Sequence, residues 1–373
     1  MTPKVNAIVC LSVMVSLFVG CASRPDAPRY KSYGMPRKVA PFLYEIHYDD
    51  YTPNPTVELA GGTIASGCSA VRNGNFYGRN LDFYYNNMPQ FVVHIAAKPG
   101  RYASLAVCGC PDFSDQELFA CSTETFFMER IPNFVYDGIN EKGVACNVNV
   151  VPAKDTAPLT GTNPGAPRIC SWALLRVILD QAASAREAIE LLGRYDIVGT
   201  MGTYNFHYMI CDKKDTFIVE IIDNKLVCIE QKIMVNFYHS LPKVTPHGSG
   251  VERYQILKEN YAEGNTWDGM ANLLKRVRYS RAYQLDTQPP WYSEFVGMKD
   301  AKSGVELTND NKPADVLPVI QPMNARFVHR DRDSNDKAVW ITVSNSTYDL
   351  EKRALRLVVQ ENYNDVFYFS LTE

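Results

Sequence analysis

The sequence predicts an α+β fold in which β-strands alternate with a few helices. A β-hairpin is predicted at residues 67–82, because Asn73-Gly74 is a pair that two-residue type I′ turns favour. Residues 204–230 form three apolar-rich runs separated by short polar turns, which is typical of a β-meander. Apolar residues recur at helical spacing in residues 171–194, where we predict two helices, the second starting at Ser184. Further helices are predicted at 250–262 and 267–283.

The composition is that of an ordinary folded protein and excludes some classes of partner. Of 373 residues, 46% are hydrophobic and 21% are charged, with a net charge of −3. Nucleic-acid binding normally requires an excess of Lys and Arg to neutralise phosphates, so nucleic acid is not an expected partner. The length allows one large domain or two ordinary ones.

The first 21 residues have the pattern of an export signal. A positively charged start precedes an apolar run at residues 7–19, which is too short to span a bilayer. Phe18-Val19-Gly20-Cys21 resembles the bacterial lipobox, although leucine is usual where Phe18 stands. This resemblance implies that Cys21 is lipidated and anchors the chain to a membrane. The alternative is a plain secretory signal that is cut near Ala22.

Within the predicted hairpin, a cysteine is expected to lie across from an arginine. A turn at Asn73-Gly74 pairs Arg72 with Asn75 and places Cys68 opposite Arg79. Opposed side chains are about 4.5–5.5 Å apart at Cβ, close enough for the guanidinium to favour the nucleophilic thiolate. Alternatively, the cysteine is a small buried apolar residue and the arginine a solvated one.

Cys68 followed by Gly78-Arg79-Asn80-Leu81-Asp82 resembles the start of the mature chain in the choloylglycine hydrolase family of linear-amide hydrolases. This family includes bile salt hydrolases, penicillin V acylases and, more distantly, acid ceramidase. Its members are N-terminal-nucleophile enzymes, in which the α-amino group of the first cysteine is the base. The resemblance implies that Cys68 is the nucleophile and that Asp82 orients its amine. It also implies that Arg79 lowers the thiol pKa and helps to anchor Asp82.

Two later segments resemble the parts of this family that stabilise the oxyanion. Residues 137–150 are similar to a Gly-hydrophobe-Asn-Glu-Lys-Gly turn followed by a strand with an asparagine. Asn149 is the first candidate for that asparagine, and Asn147 on the same strand face is the second. The segment around Asn236 is similar to the family's hydrophobe-Thr-Asn motif, with Val235 in place of threonine.

One more arginine completes the series. Ser249-Gly250-Val251-Glu252-Arg253 is similar to the family's serine-to-arginine entry into a helix, which makes Arg253 a site candidate. Arg278 and Arg281 are alternatives on the next predicted helix. His239 allows a cysteine–histidine protease as another interpretation, although an α-amino base makes a histidine unnecessary.

The resemblance also implies an architecture and a maturation step. The expected fold is the αββα sandwich of N-terminal-nucleophile hydrolases, formed by residues 68–373. Residues 22–67 are a predicted tether, at 22–40, followed by a pro-segment with a strand at 41–48. Self-cleavage between Gly67 and Cys68 is expected to free the α-amino group.

The function implied is hydrolysis of a small N-acyl amide through a thioester, without a metal or cofactor. An acyltransferase and a non-catalytic binding lipoprotein are the alternatives. The acyl group is not identified by the sequence, and a homo-oligomer is left open. The lipidation motif at Cys21 predicts an exported protein on the bacterial cell envelope.

Overall fold

A computed structural model gives the structure of residues 33–34, 36–55, 68–83, 89–109, 128, 131–152, 155–199, 205–241, 250–278, 281–284 and 337–371. For residues 83, 281–284 and 337–341 only the backbone is described. Contacts divide the chain into residues 1–31 and 32–373, and every described residue lies in the second unit. The predicted signal at 1–21 with its Cys21, most of the predicted tether, and Gly67 are outside the described residues.

The larger of two sheets has nine strands in the order β1-β2-β5-β6-β7-β8-β11-β12-β13. Neighbouring strands are antiparallel except for β2 and β5, which are parallel. The strands are β1 Arg37–Ala40, β2 Leu43–Tyr48, β5 Gln90–Ile95, β6 Ser104–Gly109, β7 Val135–Asn140, β8 Ala145–Val151, β11 Asn205–Cys211, β12 Thr216–Ile222 and β13 Lys225–Glu230.

The second sheet has the order β14-β3-β4-β16-β17-β18, and β15 also pairs with β16. A short parallel pair, β9 and β10, stands apart from both sheets. The strands are β3 Ser69–Asn73, β4 Phe76–Phe83, β9 Arg168–Cys170, β10 Asp196–Val198, β14 Ile233–Met234, β15 Arg281–Gln284, β16 Lys337–Asp349, β17 Ala354–Val359 and β18 Phe367–Ser370.

Four described helices cover the outer faces of the sheets, namely α1 Leu174–Gln181, α2 Ala185–Leu192, α3 Gly250–Glu259 and α4 Trp267–Arg276. As the sequence indicates, α2 begins after Ser184, whose hydroxyl accepts the backbone N–H of Glu187. The helix predicted at 267–283 ends early, at Arg276, and residues 281–284 pair with β16 instead. Of the helices in the described ranges, none has both the length and the apolar character needed to cross a membrane.

Apolar side chains fill the spaces between four layers. Ile178 of α1 and Leu192 of α2 join the core on the outer face of the nine-stranded sheet, whereas Leu274 of α4 packs with Val71 of β3. Side chains from both sheets fill the space between them, among them Val92, Val107, Met209, Tyr77, Tyr348 and Leu357. This helix–sheet–sheet–helix arrangement confirms the predicted αββα sandwich.

The predicted hairpin is present, but its register is shifted. The two residues between the strands are Gly74 and Asn75, so Ala70 rather than Cys68 is opposite Arg79. Gly74 has a φ of 56°, and positive φ at the first central position is the pattern of a type II′ turn. Asn73 is held at the strand end because its side chain donates to the backbone oxygen of Tyr261 at 2.7 Å. This contact, together with the pairing of β3 with β14 and of β4 with β16, favours the observed register.

The strand predicted at 41–48 is an internal strand of the nine-stranded sheet. β2 lies between β1 and β5, and Leu43, Tyr44, Ile46 and Tyr48 are at most 3% exposed. The chain already pairs with β2 at Arg37–Ala40, so the predicted tether of residues 22–40 is wrong in its last four residues. Residues 37–48, which precede the predicted nucleophile, are therefore part of the folded core.

Candidate active site

Cys68 immediately precedes β3 and is 3% exposed. Its Sγ lies 3.5 Å from Nη2 of Arg79 and also accepts the backbone N–H of Asp82. The predicted thiol–guanidinium contact is thus present, although the two residues are diagonal rather than opposed. A shift of two residues leaves every side chain on the same sheet face, and a long side chain reaches a diagonal neighbour.

Arg79 is completely buried between the sheets and is anchored by the opposite sheet. Its Nη1 is 3.1 Å from Oδ2 of Asp137, and its Nη2 donates to the backbone oxygen of Val148 at 3.0 Å. Among the described contacts Arg79 forms no ion pair with Asp82, because residues three apart on one strand point to opposite faces, and its positive charge only helps to lower the pKa of Asp82 from a distance. The Tyr348 hydroxyl donates to the other carboxylate oxygen of Asp137, so that carboxylate is fixed from two sides.

Burial dominates the protonation of the thiol. Removal from water raises the pKa of Cys68, and the nearby Arg79 guanidinium opposes this rise without cancelling it. The predicted effect of Arg79 therefore has the expected sign but the net pKa is raised. A cysteine in this environment stays protonated near neutral pH, so it requires a base to become a nucleophile.

Arg253, on the first turn of α3, connects three predicted site residues. Its Nη1 donates to the backbone oxygen of Cys68 at 2.7 Å and lies 3.3 Å from Oδ2 of Asp82. Its Nη2 donates to Oδ1 of Asn236 at 2.8 Å. Of the two alternatives, Arg278 is exposed and bonds to the backbone of its own helix end, and the Arg281 side chain is outside the described part. The geometry favours Arg253.

The hydrogen bonds distinguish the two candidate asparagines on β8. Asn147 accepts the Tyr77 hydroxyl at 2.6 Å and donates its amide to Oδ1 of Asn149 at 2.8 Å. Asn149 is 1% exposed, and its own Nδ2 has no hydrogen-bond partner among the described residues. A buried donor without a partner is costly, and active sites are where such groups are kept for the substrate. Asn147 is placed to orient the Asn149 side chain, and Nδ2 of Asn149 is the donor available to a substrate.

Asn236 follows β14 and is also buried. Its Nδ2 donates to the backbone oxygen of Val150 at 2.8 Å, while Arg253 holds its Oδ1. One of the two amide hydrogens is therefore committed to β8, next to Asn149. The Asn236 side chain thus contacts the strand that carries Asn149, at the neighbouring residue.

Asp82 is buried on the face of β4 that points away from Arg79. Its Oδ1 accepts the Thr342 hydroxyl at 2.6 Å, and Arg253 lies at its Oδ2. Burial raises the pKa of Asp82 from 3.8 to about 7, although Arg253 and Thr342 pull it down. This carboxyl therefore changes charge close to neutral pH.

We expect the shifted pKa of Asp82 to make the uncut chain less stable as the pH rises. Between pH 3.8 and about 7 the unfolded chain has released this proton and the folded chain keeps it, so the free energy of unfolding falls with pH. Asp82→Asn cannot ionise and should gain stability relative to Asp82 over this range, by several kcal/mol at roughly 1.4 kcal/mol per pKa unit. Denaturant unfolding of both variants in a Cys68→Ala background, from pH 4 to 8, measures this. A difference that does not vary with pH would contradict it.

Sequence reasoning missed several buried polar residues that complete the site. Asp137 was within the motif at 137–150, but no local pattern connects it with Arg79, 58 residues earlier. Tyr77 and Tyr348 were indistinguishable from core aromatics, and they stack at 5.6 Å between ring centroids. Thr342 is 260 residues from Asp82 in the chain, and only the pairing of β16 with β4 brings them together.

His239 is built into the loop after β14 rather than paired with the thiol. The Nε2 of the His239 ring accepts the backbone N–H of Val235 at 3.3 Å. The backbone N–H of His239 donates to Oε1 of Glu220 at 2.7 Å. Burial, together with the neighbouring His207, lowers the pKa of His239 to about 3. These contacts do not support the cysteine–histidine protease interpretation.

Comparison with known proteins decides the family. Residues 69–274, more than half of the chain, match the family of linear amide C-N hydrolases, choloylglycine hydrolase family. The chain belongs to this family. The match contains Arg79, Asp82, Asn149, Asn236 and Arg253, and it begins one residue after Cys68. No curated protein matches the chain in sequence.

Solved structures of similar proteins include a mutant of conjugated bile acid hydrolase from Clostridium perfringens, at 16% identity and a TM-score of 0.40. That alignment covers 82% of this chain and 92% of the other. Penicillin V acylase from Agrobacterium tumefaciens aligns at 15% identity and a TM-score of 0.39, over 82% of this chain and 86% of the other. The family assignment rests on the sequence match alone. The substrates of these two proteins are not assigned to this chain. As a family member, the chain is a linear amide C-N hydrolase.

Proposed function

We propose that this enzyme hydrolyses a small, non-peptide N-acyl amide with Cys68 as its nucleophile. The observation that carries the proposal is that buried arginines contact both the side chain and the backbone of Cys68. Arg79 contacts the thiol sulfur, and Arg253 binds the backbone oxygen while it also contacts Asp82. A structural cysteine needs neither contact, whereas a nucleophile needs a fixed sulfur near a positive charge.

The base in this proposal is the α-amino group of Cys68, which exists only after the Gly67–Cys68 bond is cut. In the uncut chain that nitrogen is a peptide amide and accepts no proton. The Cys68 thiol attacks the Gly67 carbonyl, the peptide nitrogen leaves as the α-amino group, and water hydrolyses the resulting thioester. A free α-amino group has a pKa of about 7.7–8.0, which suits a group that takes and returns a proton near neutral pH.

Turnover repeats the same chemistry on the substrate. The thiol attacks the amide carbon, its proton passes to the α-amino group, and that proton then goes to the leaving amine. Asn149 and Asn236 donate to the oxyanion, Asp82 orients the α-amino group, and water releases the acid from the thioester. Within the described part of the chain the Nδ2 of Asn149 has no hydrogen-bond partner, which supports its assignment as an oxyanion donor.

The three buried asparagines are expected to respond differently to substitution. Asn149→Ala and Asn236→Ala should each lower kcat about 10²–10³-fold with little change in KM, because an oxyanion contact strengthens only in the transition state. Asn147→Ala should lower kcat less, since it removes only the support for Asn149. Steady-state kinetics on one amide tests this series. A larger loss at Asn147 than at Asn149, or a change in KM alone, would contradict these roles.

The segment before the cut is proposed to stay bound as a non-covalent partner. β2 has neighbours on both sides, and each fully buried apolar side chain in it contributes about 1.5–3 kcal/mol. Beyond β2, Asn54 donates its N–H to Asn133 at 2.9 Å, and Pro55 accepts the N–H of Cys170 at 2.8 Å. If Cys21 carries lipid, this packing keeps the hydrolase on the membrane of the cell envelope after it is cut.

The proposed function is tested by incubating purified protein with a panel of acyl amides and stopping the reaction in acid. We expect a mass increase equal to the acyl group on the peptide that begins with Cys68, and release of free acid. Transfer of the acyl group to an added amine, instead of release of acid, would identify an acyltransferase. No adduct and no turnover on any amide would favour the binding-protein alternative.

A further inference from the structure

A second group of polar side chains lies between β2 and β5, on strands other than those that carry the proposed catalytic residues. His47 and His94 are Cα partners in this parallel pair, and Glu45 is two residues before His47 on the same face. Oε1 of Glu45 is 3.1 Å from Nε2 of His94 and 3.6 Å from Nε2 of His47. One ligand atom from each residue lies within 4.8 Å of the other two.

These distances are close to those of a metal site. A zinc ion binds imidazole nitrogen and carboxylate oxygen at about 2.0–2.2 Å, and tetrahedral angles then place the ligand atoms roughly 3.3–3.6 Å apart. Two of the three pairs are near this separation. The two imidazole rings stack at 4.1 Å between centroids. The His47 side chain is 67% exposed, so we expect its ring to have room to rotate and turn a nitrogen toward the other two ligands.

The surroundings suit a bound ion. Oε2 of Glu45 accepts a hydrogen bond from the Nε–H of Arg37 at 3.0 Å. This contact fixes the carboxylate and leaves Oε1 for a metal. The side chains of Glu45 and His94 are only 12% and 14% exposed. The cluster opens into a cavity of about 710 Å³, also lined by Trp267 and Tyr368, which gives an ion access and leaves a position for a non-protein ligand.

We infer that Glu45, His47 and His94 bind one divalent transition-metal ion, with zinc favoured by two imidazoles and a carboxylate. The ion would join β2, in the predicted pro-segment, to β5 in the body of the enzyme. The inference does not depend on the cysteine chemistry, which is expected to need no metal.

The test uses untagged, metal-free full-length protein carrying Cys228→Ser, because Cys228 is an exposed cysteine and cysteine thiolates are zinc ligands that compete with the proposed site. We expect one zinc ion per chain by titration and a rise in the thermal midpoint on zinc addition. His47→Ala and His94→Ala should each weaken binding more than ~10-fold, since even outer-shell partners are worth about 10–100-fold. Glu230→Gln, which removes an exposed carboxylate on β13, is the matched control and should bind as the parent does.

Cobalt replaces zinc in a second measurement, because its spectrum distinguishes nitrogen and oxygen ligands from thiolates. We expect visible bands of a nitrogen and oxygen site without a thiolate charge-transfer band, and their loss in His47→Ala. His47 is exposed, so this variant should keep the fold, which circular dichroism checks. Unchanged affinity in both histidine variants, a thiolate band, or no saturable binding by the folded parent would each overturn the inference.

Discussion

Replacing Cys68 with alanine or serine is expected to abolish amide hydrolysis while the protein stays folded. Loss of a nucleophile costs on the order of 10⁶ in kcat. Serine does not restore activity, because a hydroxyl is far less acidic than a thiol and is not deprotonated by an α-amino group as readily. Both variants should also remain uncut, since the same sulfur performs the cleavage.

The matched control for this prediction is Cys228→Ala, which removes a different thiol. Cys228 is exposed on β13 and has no contact with the proposed site residues in the described structure. It should hydrolyse and cleave as the parent does. Turnover by Cys68→Ala at the parental rate would end the nucleophile assignment.

The second large effect is expected at the buried pair of Arg79 and Asp137. Arg79→Met leaves the Asp137 carboxyl without its cation between the sheets, and breaking a buried pair from one side costs about 3–5 kcal/mol. Burial already raises the pKa of Asp137, so this carboxyl is expected to take up a proton in the variant. Activity should fall as well, because the thiol loses its neighbouring charge.

A double substitution separates the structural role of Arg79 from its role at the sulfur. Arg79→Met combined with Asp137→Asn removes both charges and should recover much of the free energy of unfolding, but none of the activity. Arg186→Met breaks a surface pair with Asp215 and should affect stability far less. Denaturant unfolding and kinetics of these variants provide the measurements. Recovery of activity in the double variant would show that Arg79 serves stability alone.

The sequence was sufficient for those features that depend on local patterns. The hairpin and the start of a helix at Ser184 follow from residues near each other in the chain, and the αββα class was implied by the resemblance of short motifs to a known family. The hairpin register was wrong because the contact of Asn73 with Tyr261, 188 residues away, outweighs the turn preference of Asn73-Gly74. The preference of a residue pair for a turn type corresponds to a small free energy, and tertiary contacts such as this hydrogen bond are large enough to change the register.

The residues proposed to act on the substrate were predictable, but their pairings and the buried polar residues around them were not. The motifs identified Cys68, Arg79, Asp82 and Arg253, which the fold brings together. Which carboxylate pairs with which arginine depends on the sheet face, and the face is set by strand register across distant segments. Only the fold pairs Arg79 with Asp137.

The central claim is that Cys68 becomes the N-terminal residue of the active enzyme. Mass spectrometry of active protein, under denaturing and then native conditions, tests it most directly. We predict a fragment that begins at Cys68 and a second that ends at Gly67, which separate when denatured and stay together when native because β2 is internal to the sheet. A fully active protein whose only species is the uncut chain, with Cys68 internal, would contradict the account.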